Sequence, residues 1–110
     1  MTTAKYSVSI PSVTVATAVA NSTAINYGDF EKGTVLVPST ATYTTLTWHV
    51  SGSNDGPYSP ANNASGSAIT QTVAAGTVGN AYPIPNDLNG ARFLKITGNA
   101  AGVVGLTLKD

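Results

Sequence analysis

From Thr45 to Pro60 the chain reads as a strand pattern running straight into a dense turn signal. Leu46, Trp48 and Val50 alternate with Thr47, His49 and Ser51, the period of a strand with one face buried. Ser53-Asn54-Asp55-Gly56-Pro57 follows, with residues that accept turn or left-handed conformations and then a proline of fixed φ. The stretch predicts a hairpin, with Tyr58 and Pro60 on the returning segment. Trp48, the single tryptophan, is the expected core anchor, and His49, the single histidine, is expected on the outward face with no role of its own.

The same grammar recurs along the chain. Tyr6, Val8 and Ile10 alternate, Pro11 interrupts, and Val13, Val15, Thr17 and Val19 resume, predicting a strand, a kink and a second strand that changes sheet or lies at an edge. Tyr27 and Phe30 are placed over one end of the core. Val35-Leu36-Val37 is a continuous apolar run, as in a strand covered on both faces or closing against the rim. Ile69, Gln71 and Val73 predict a threonine-backed strand. Tyr82-Pro83-Ile84-Pro85 is an edge segment, because two prolines remove two ladder donors. Asn86 to Gly90 is a turn or single helical turn. It leads into strands at Ala91–Thr97 and Val103–Lys109, the last with Val104, Leu106 and Leu108 inward.

About eight short strands without an amphipathic helix predict an all-β chain, an antiparallel β-sandwich with jelly-roll or immunoglobulin-like connections. The 110 residues suit a single sandwich domain, 1–110, in which 1–12 forms an N-terminal arm or edge strand.

Charge narrows the function classes. Charged residues make up 9% of the chain, against a typical ~25%, and formal net charge is zero. Nucleic-acid affinity comes largely from neutralising phosphates, so no nucleic-acid partner is expected, and no polybasic patch or apolar span points to a membrane. The N-terminus lacks the apolar run of a signal peptide, so synthesis and folding in the cytoplasm are expected. The sequons Asn21-Ser22-Thr23 and Asn63-Ala64-Ser65 are read as chance occurrences in an Asn/Ser/Thr-rich chain. A near-neutral surface invites association. Either hydrated hydroxyls keep copies apart, or the domain functions packed against protein.

No constellation for chemistry stands out. One histidine and five scattered acids do not suggest a metal site, and there is no cysteine. A Ser-His-Asp set could draw on His49 with Asp29, Asp55 or Asp87, but no nucleophile elbow accompanies it. Carboxylate pairs from Asp29, Glu31, Asp55 and Asp87 fall in turn sequences, where Asp is explained by its bonds to the local backbone. Calcium at Asn54 and Asp55 would lack the spacing of an EF-hand loop. Catalytic residues, metal ligands and cofactors are all expected to be none. Tyr6, Tyr27, Tyr43, Tyr58, Tyr82 and Trp48 could form a sugar-stacking platform. A weakly charged, threonine-lined sheet fits burial against a protein partner better.

One pattern resembles a known family. A Trp48 strand leads into Asp55-Gly56-x-Tyr58, followed by a polar loop, an Ile84-Pro85 edge, Leu88-Asn89-Gly90, Arg92-Phe93-Leu94-Lys95-Ile96 and a closing Leu106-Thr107-Leu108. It resembles the small β-sandwich decoration or cement proteins of tailed bacteriophage capsids over residues 34–108. Gly52-Ser53-Asn54 replaces a shorter turn, and the first thirty residues match only in general character. The resemblance implies a non-enzymatic virion protein on the outer capsid surface. Its partner would be the major capsid protein, and it would form a homo-oligomer, trimer or dimer, at capsid symmetry axes. The matching residues are hairpin and core elements, so the capsid-contact residues are unknown; Met1–Ser12, Gly52–Ser67 and Gly98–Gly102 are the segments to test. The alternative is a carbohydrate-binding module recognising a cell-surface glycan through Tyr27, Tyr58 or Tyr82.

Overall fold

Nine strands make two antiparallel sheets in the computed structural model, which describes residues 7–28, 30, 32–88 and 90–109. They are β1 (Ser7–Val15), β2 (Ile25–Asn26), β3 (Lys32–Val37), β4 (Thr45–Ser51), β5 (Ser59–Pro60), β6 (Thr70–Thr72), β7 (Asn80–Pro83), β8 (Phe93–Gly98) and β9 (Gly102–Lys109). Sheet one has the order β1-β9-β3-β7. Sheet two runs β2-β8-β4-β5, with β6 also on β4. The two sheets enclose one core, in which Trp48, Leu46, Leu94, Ile96, Val13, Val15, Val104 and Leu108 have no exposed surface.

The connections are those of a jelly roll. Strands β5 and β6 pair with successive parts of β4, at His49–Val50 and Thr45–Thr47. Between them Ala61 N donates to Trp48 O, and Trp48 N donates to Ile69 O. The two are therefore one strand interrupted by the 62–68 excursion. Counted so, eight strands lie in the orders 1-8-3-6 and 2-7-4-5, the double Greek key of a jelly roll.

The hairpin from β4 to β5 forms as its sequence predicts, with a left-handed Gly56 and a cis Gly56-Pro57 bond at the reversal. Of the Tyr82–Pro85 segment, Tyr82 and Pro83 do fall at an edge, on β7, and Pro85 follows the end of that strand.

Two readings need correction. The N-terminal alternation is not two strands separated by a kink. Strand β1 is continuous, with a bulge between Ile10 and Val13 that absorbs Pro11 and Ser12, and Tyr6 lies outside the described residues. Val19 is not on a strand but in a 3₁₀ turn, Val19–Asn21. Side-chain hydroxyls stop the strand there: Ala16 N donates to Ser22 Oγ, and Thr14 N donates to Thr23 Oγ1. The second correction concerns Val35-Leu36-Val37. Val35 and Val37 are buried, but Leu36 is 44% exposed, because among the described residues no segment covers the outer face of sheet one there.

Candidate functional site

His49 is not the exposed bystander that alternation predicts. It does point away from the Trp48 core, yet it is 8% exposed. Strand β4 is central, with β8 on one side and β5 and β6 on the other, so its outer face is flanked throughout. His49 Nε2 lies 2.9 Å from Thr97 Oγ1 on β8, and Nδ1 is buried without a partner. Burial holds its pKa below the ordinary histidine value. Lys95, opposite His49 in register, reaches over this face. Its Nζ donates to Val19 O at 3.2 Å and sits 4.9 Å from the centre of the Tyr58 ring.

That set supplies a neutral imidazole and a hydroxyl without an acid to orient them. Among the described residues, neither ring nitrogen of His49 meets a carboxylate, and Asp55 and Asp87 are exposed. Asp29 and Glu31 lie outside the described residues. Among the described residues there is no group of three or more His, Cys, Asp or Glu side chains that could hold a metal.

The Asn54-Asp55 turn is closed on itself. Ser53 Oγ donates to Gly56 O at 2.9 Å, and Tyr58 OH donates to Asn54 O at 3.0 Å. Burial, and then the Asp55 charge, raise the Tyr58 pKa. The Asn54 carbonyl thus accepts from a phenol within the same turn.

Among the described residues, the aromatic side chains do not assemble a stacking platform. Tyr27, Tyr43 and Trp48 are buried in the core. Tyr43 OH donates to Val103 O at 2.6 Å, and burial pushes its pKa up to about 12. The Tyr58 ring is capped by Lys95, Tyr82 OH accepts from Ala74 N at 2.9 Å, and Tyr6 lies outside the described residues.

The polar loops singled out as contact segments are fastened by asparagines whose roles composition alone does not reveal. Asn63 Oδ1 accepts from Ser65 N and Ser67 N. Asn99 Oδ1 accepts from Thr44 N and Thr45 N, while its Nδ2 donates to Thr44 Oγ1.

Two of the concavities formed by the described residues bear on binding. One, of about 540 Å³, lies at an end of the sandwich, with Val50, Ile69 and Leu88 among its apolar lining and Ser51, Asn62 and Arg92 among its polar lining. The other, of about 560 Å³, runs across the outer face of sheet one past Pro11, Leu36, Val78, Val103 and Gly105. Reading the sequence missed this second groove. A signal existed in Val78, an apolar residue in the Gly-Thr-Val-Gly turn where a polar residue is usual. Comparison of the chain with protein-family models, with curated proteins and with solved structures finds no match.

Proposed function

We propose that this chain is a structural virion protein that binds the outside of a major capsid shell and decorates or cements it, without catalytic activity of its own. The observation that supports the reading most is where its few charges fall. Of the described ionic residues, Lys32 begins β3 and Lys109 ends β9, while Asp55, Asp87 and Arg92 lie in turns and loops. Lys95 alone sits within a strand, and it is engaged by Tyr58 and Val19. Large parts of both sheet faces can therefore be covered by protein without stripping water from ions, the main cost of burying charge. A rigid jelly roll presenting such faces suits repeated docking on a lattice, where modest contacts add through multivalency.

The residues that carry the resemblance are scaffold: Trp48, Leu94 and Ile96 fill the core, and Asp55-Gly56 makes the turn. Contacts with a shell would thus come from the strand faces and fastened loops. The test is to strip the protein from purified particles, measure their thermal stability, and add it back. Copurification in a fixed ratio to the coat subunit, with stability lost on removal and regained on rebinding, is the expected result. Particles that never carry it and do not bind it overturn the reading.

A further inference from the structure

Among the described residues, the large apolar side chains left exposed are Leu36, Val78 and Val103, and all three line the groove on sheet one. Isolated exposed apolar residues need no explanation, but their confinement to one concavity marks an interaction surface. Two features of that surface narrow the occupant.

The first is shape. Val78 is 94% exposed, at the end of the Gly76–Val78 turn. This turn is held in place: Asn80 Nδ2 donates to Ala74 O at 2.8 Å. Gly79 has φ +91°, and a Cβ there would fall 2.8 Å from Val37 O, so only glycine lets the turn lie this close to β3. Val78 is therefore a fixed knob. In the same groove Gly105, on the outer face of β9, leaves a hollow opposite Leu36, with the carbonyl of Pro11 on its other side. One patch thus carries both a knob and a hollow, the self-complementarity that a two-fold contact requires.

The second is charge. In a two-fold contact each patch meets itself, so an ionic side chain there is brought near its own copy. Among the described residues, none that lines the groove is ionic. Lys32 and Lys109, directly opposed in register, lie at the far end of the face, about four residues or ~13 Å along β9 from Gly105, beyond a physiological Debye length.

We propose that this face is a two-fold interface between two copies of the chain, with Val78 of each copy seated over Gly105 of the other, between Leu36 and Val103. The pairing holds whether or not the protein binds a capsid.

Sedimentation of the full chain from micromolar to millimolar concentration tests it. The wild type forms a dimer, and Val78→Asp weakens the dimer on the order of thirtyfold or more. Gly105→Ala is the variant that spares the fold, since the added methyl meets its nearest neighbours at an ordinary 3.5 Å. It fills the hollow and weakens association about tenfold, with the melting temperature unchanged. A monomer at every concentration, a trimer, or a dimer indifferent to both substitutions overturns the proposal. So does a monomeric wild type whose capture on coat-protein particles is lost in Val78→Asp, which gives this face to the coat and leaves the decoration reading standing.

Discussion

His49 Nε2 and Thr97 Oγ1 lie 2.9 Å apart on neighbouring strands, diagonal to one another in the β4–β8 register, while His49 Nδ1 is buried with no partner. An orphaned lone pair costs less than an orphaned N–H, so the proton belongs on Nε2, which donates to the threonine. Protonating Nδ1 would create a buried charge facing nothing.

Stability therefore falls with acid in a defined window. Burial lowers the folded-state pKa below the ordinary 6.5. As pH drops through about 6.5 the unfolded chain binds a proton that the folded chain refuses. The contribution of neutral His49 is complete above that value, declines below it, and levels off beneath the folded-state pKa. Urea denaturation across about pH 5 to 7, where histidine alone of the ordinary side chains titrates, reads this slope. His49→Gln removes it while offering Thr97 another donor. A variant that retains the wild-type slope in this window contradicts the assignment.

Two buried phenols separate hydrogen bonding from burial. Tyr43 and Tyr27 are each 1% exposed, but Tyr43 OH donates to Val103 O and Tyr27 OH has no partner. Tyr43→Phe should destabilise by about 1 to 2 kcal/mol, because it leaves a carbonyl without that donor. Tyr27→Phe removes an unpaired hydroxyl and should be neutral or stabilising by up to about 1 kcal/mol. Equal losses in the two variants, measured by chemical denaturation, would show that the hydroxyls do not differ in this way.

How far the sequence carried depends on whether a feature is local. The β4 hairpin was legible because alternation and turn chemistry are both written between Thr45 and Pro60. The edge position of β7 was legible because proline cannot donate to a ladder. The burial of His49 was not, since it depends on β4 being flanked by β8, β5 and β6 and on Lys95 reaching across to Val19, residues far apart in the chain. Leu36 failed in the opposite sense. Its apolar run suggested cover on both faces or closure against the rim, and only the sheet order reveals that no described segment covers its outer face. The apolar groove was hidden for the same reason, as its walls come from β1, β3, β9 and the turn before β7.

Trp48 tests the core directly. It has no exposed surface, and its Nε1 is buried without a partner. Trp48→Ala should cost about 3 to 5 kcal/mol through lost burial and the cavity left behind. Trp48→Phe keeps much of the ring and discards the unpaired N–H, so its cost should be clearly smaller. Thermal or urea unfolding of both variants checks the order; a phenylalanine variant as unstable as the alanine one would mean that the indole nitrogen is satisfied after all.

Asn99 decides whether the loop at Gly98–Gly102 is scaffold or contact surface. Its side chain accepts from Thr44 N at 2.8 Å and Thr45 N at 3.3 Å and donates to Thr44 Oγ1 at 2.9 Å, tying the β8–β9 loop to the start of β4. Asn99→Ala breaks all three and should destabilise by about 1 to 3 kcal/mol, with faster amide exchange at Thr44 and Thr45. Asn99→Asp keeps the acceptor and loses the donor, so protection at those amides should largely return while the Thr44 hydroxyl contact does not. If instead both variants fold with wild-type stability and exchange but fail to bind particles, Asn99 acts at the surface. The opposite pattern, lost stability with binding intact at temperatures where the variant is folded, makes the loop a fastening for β4 and leaves docking to the open sheet faces.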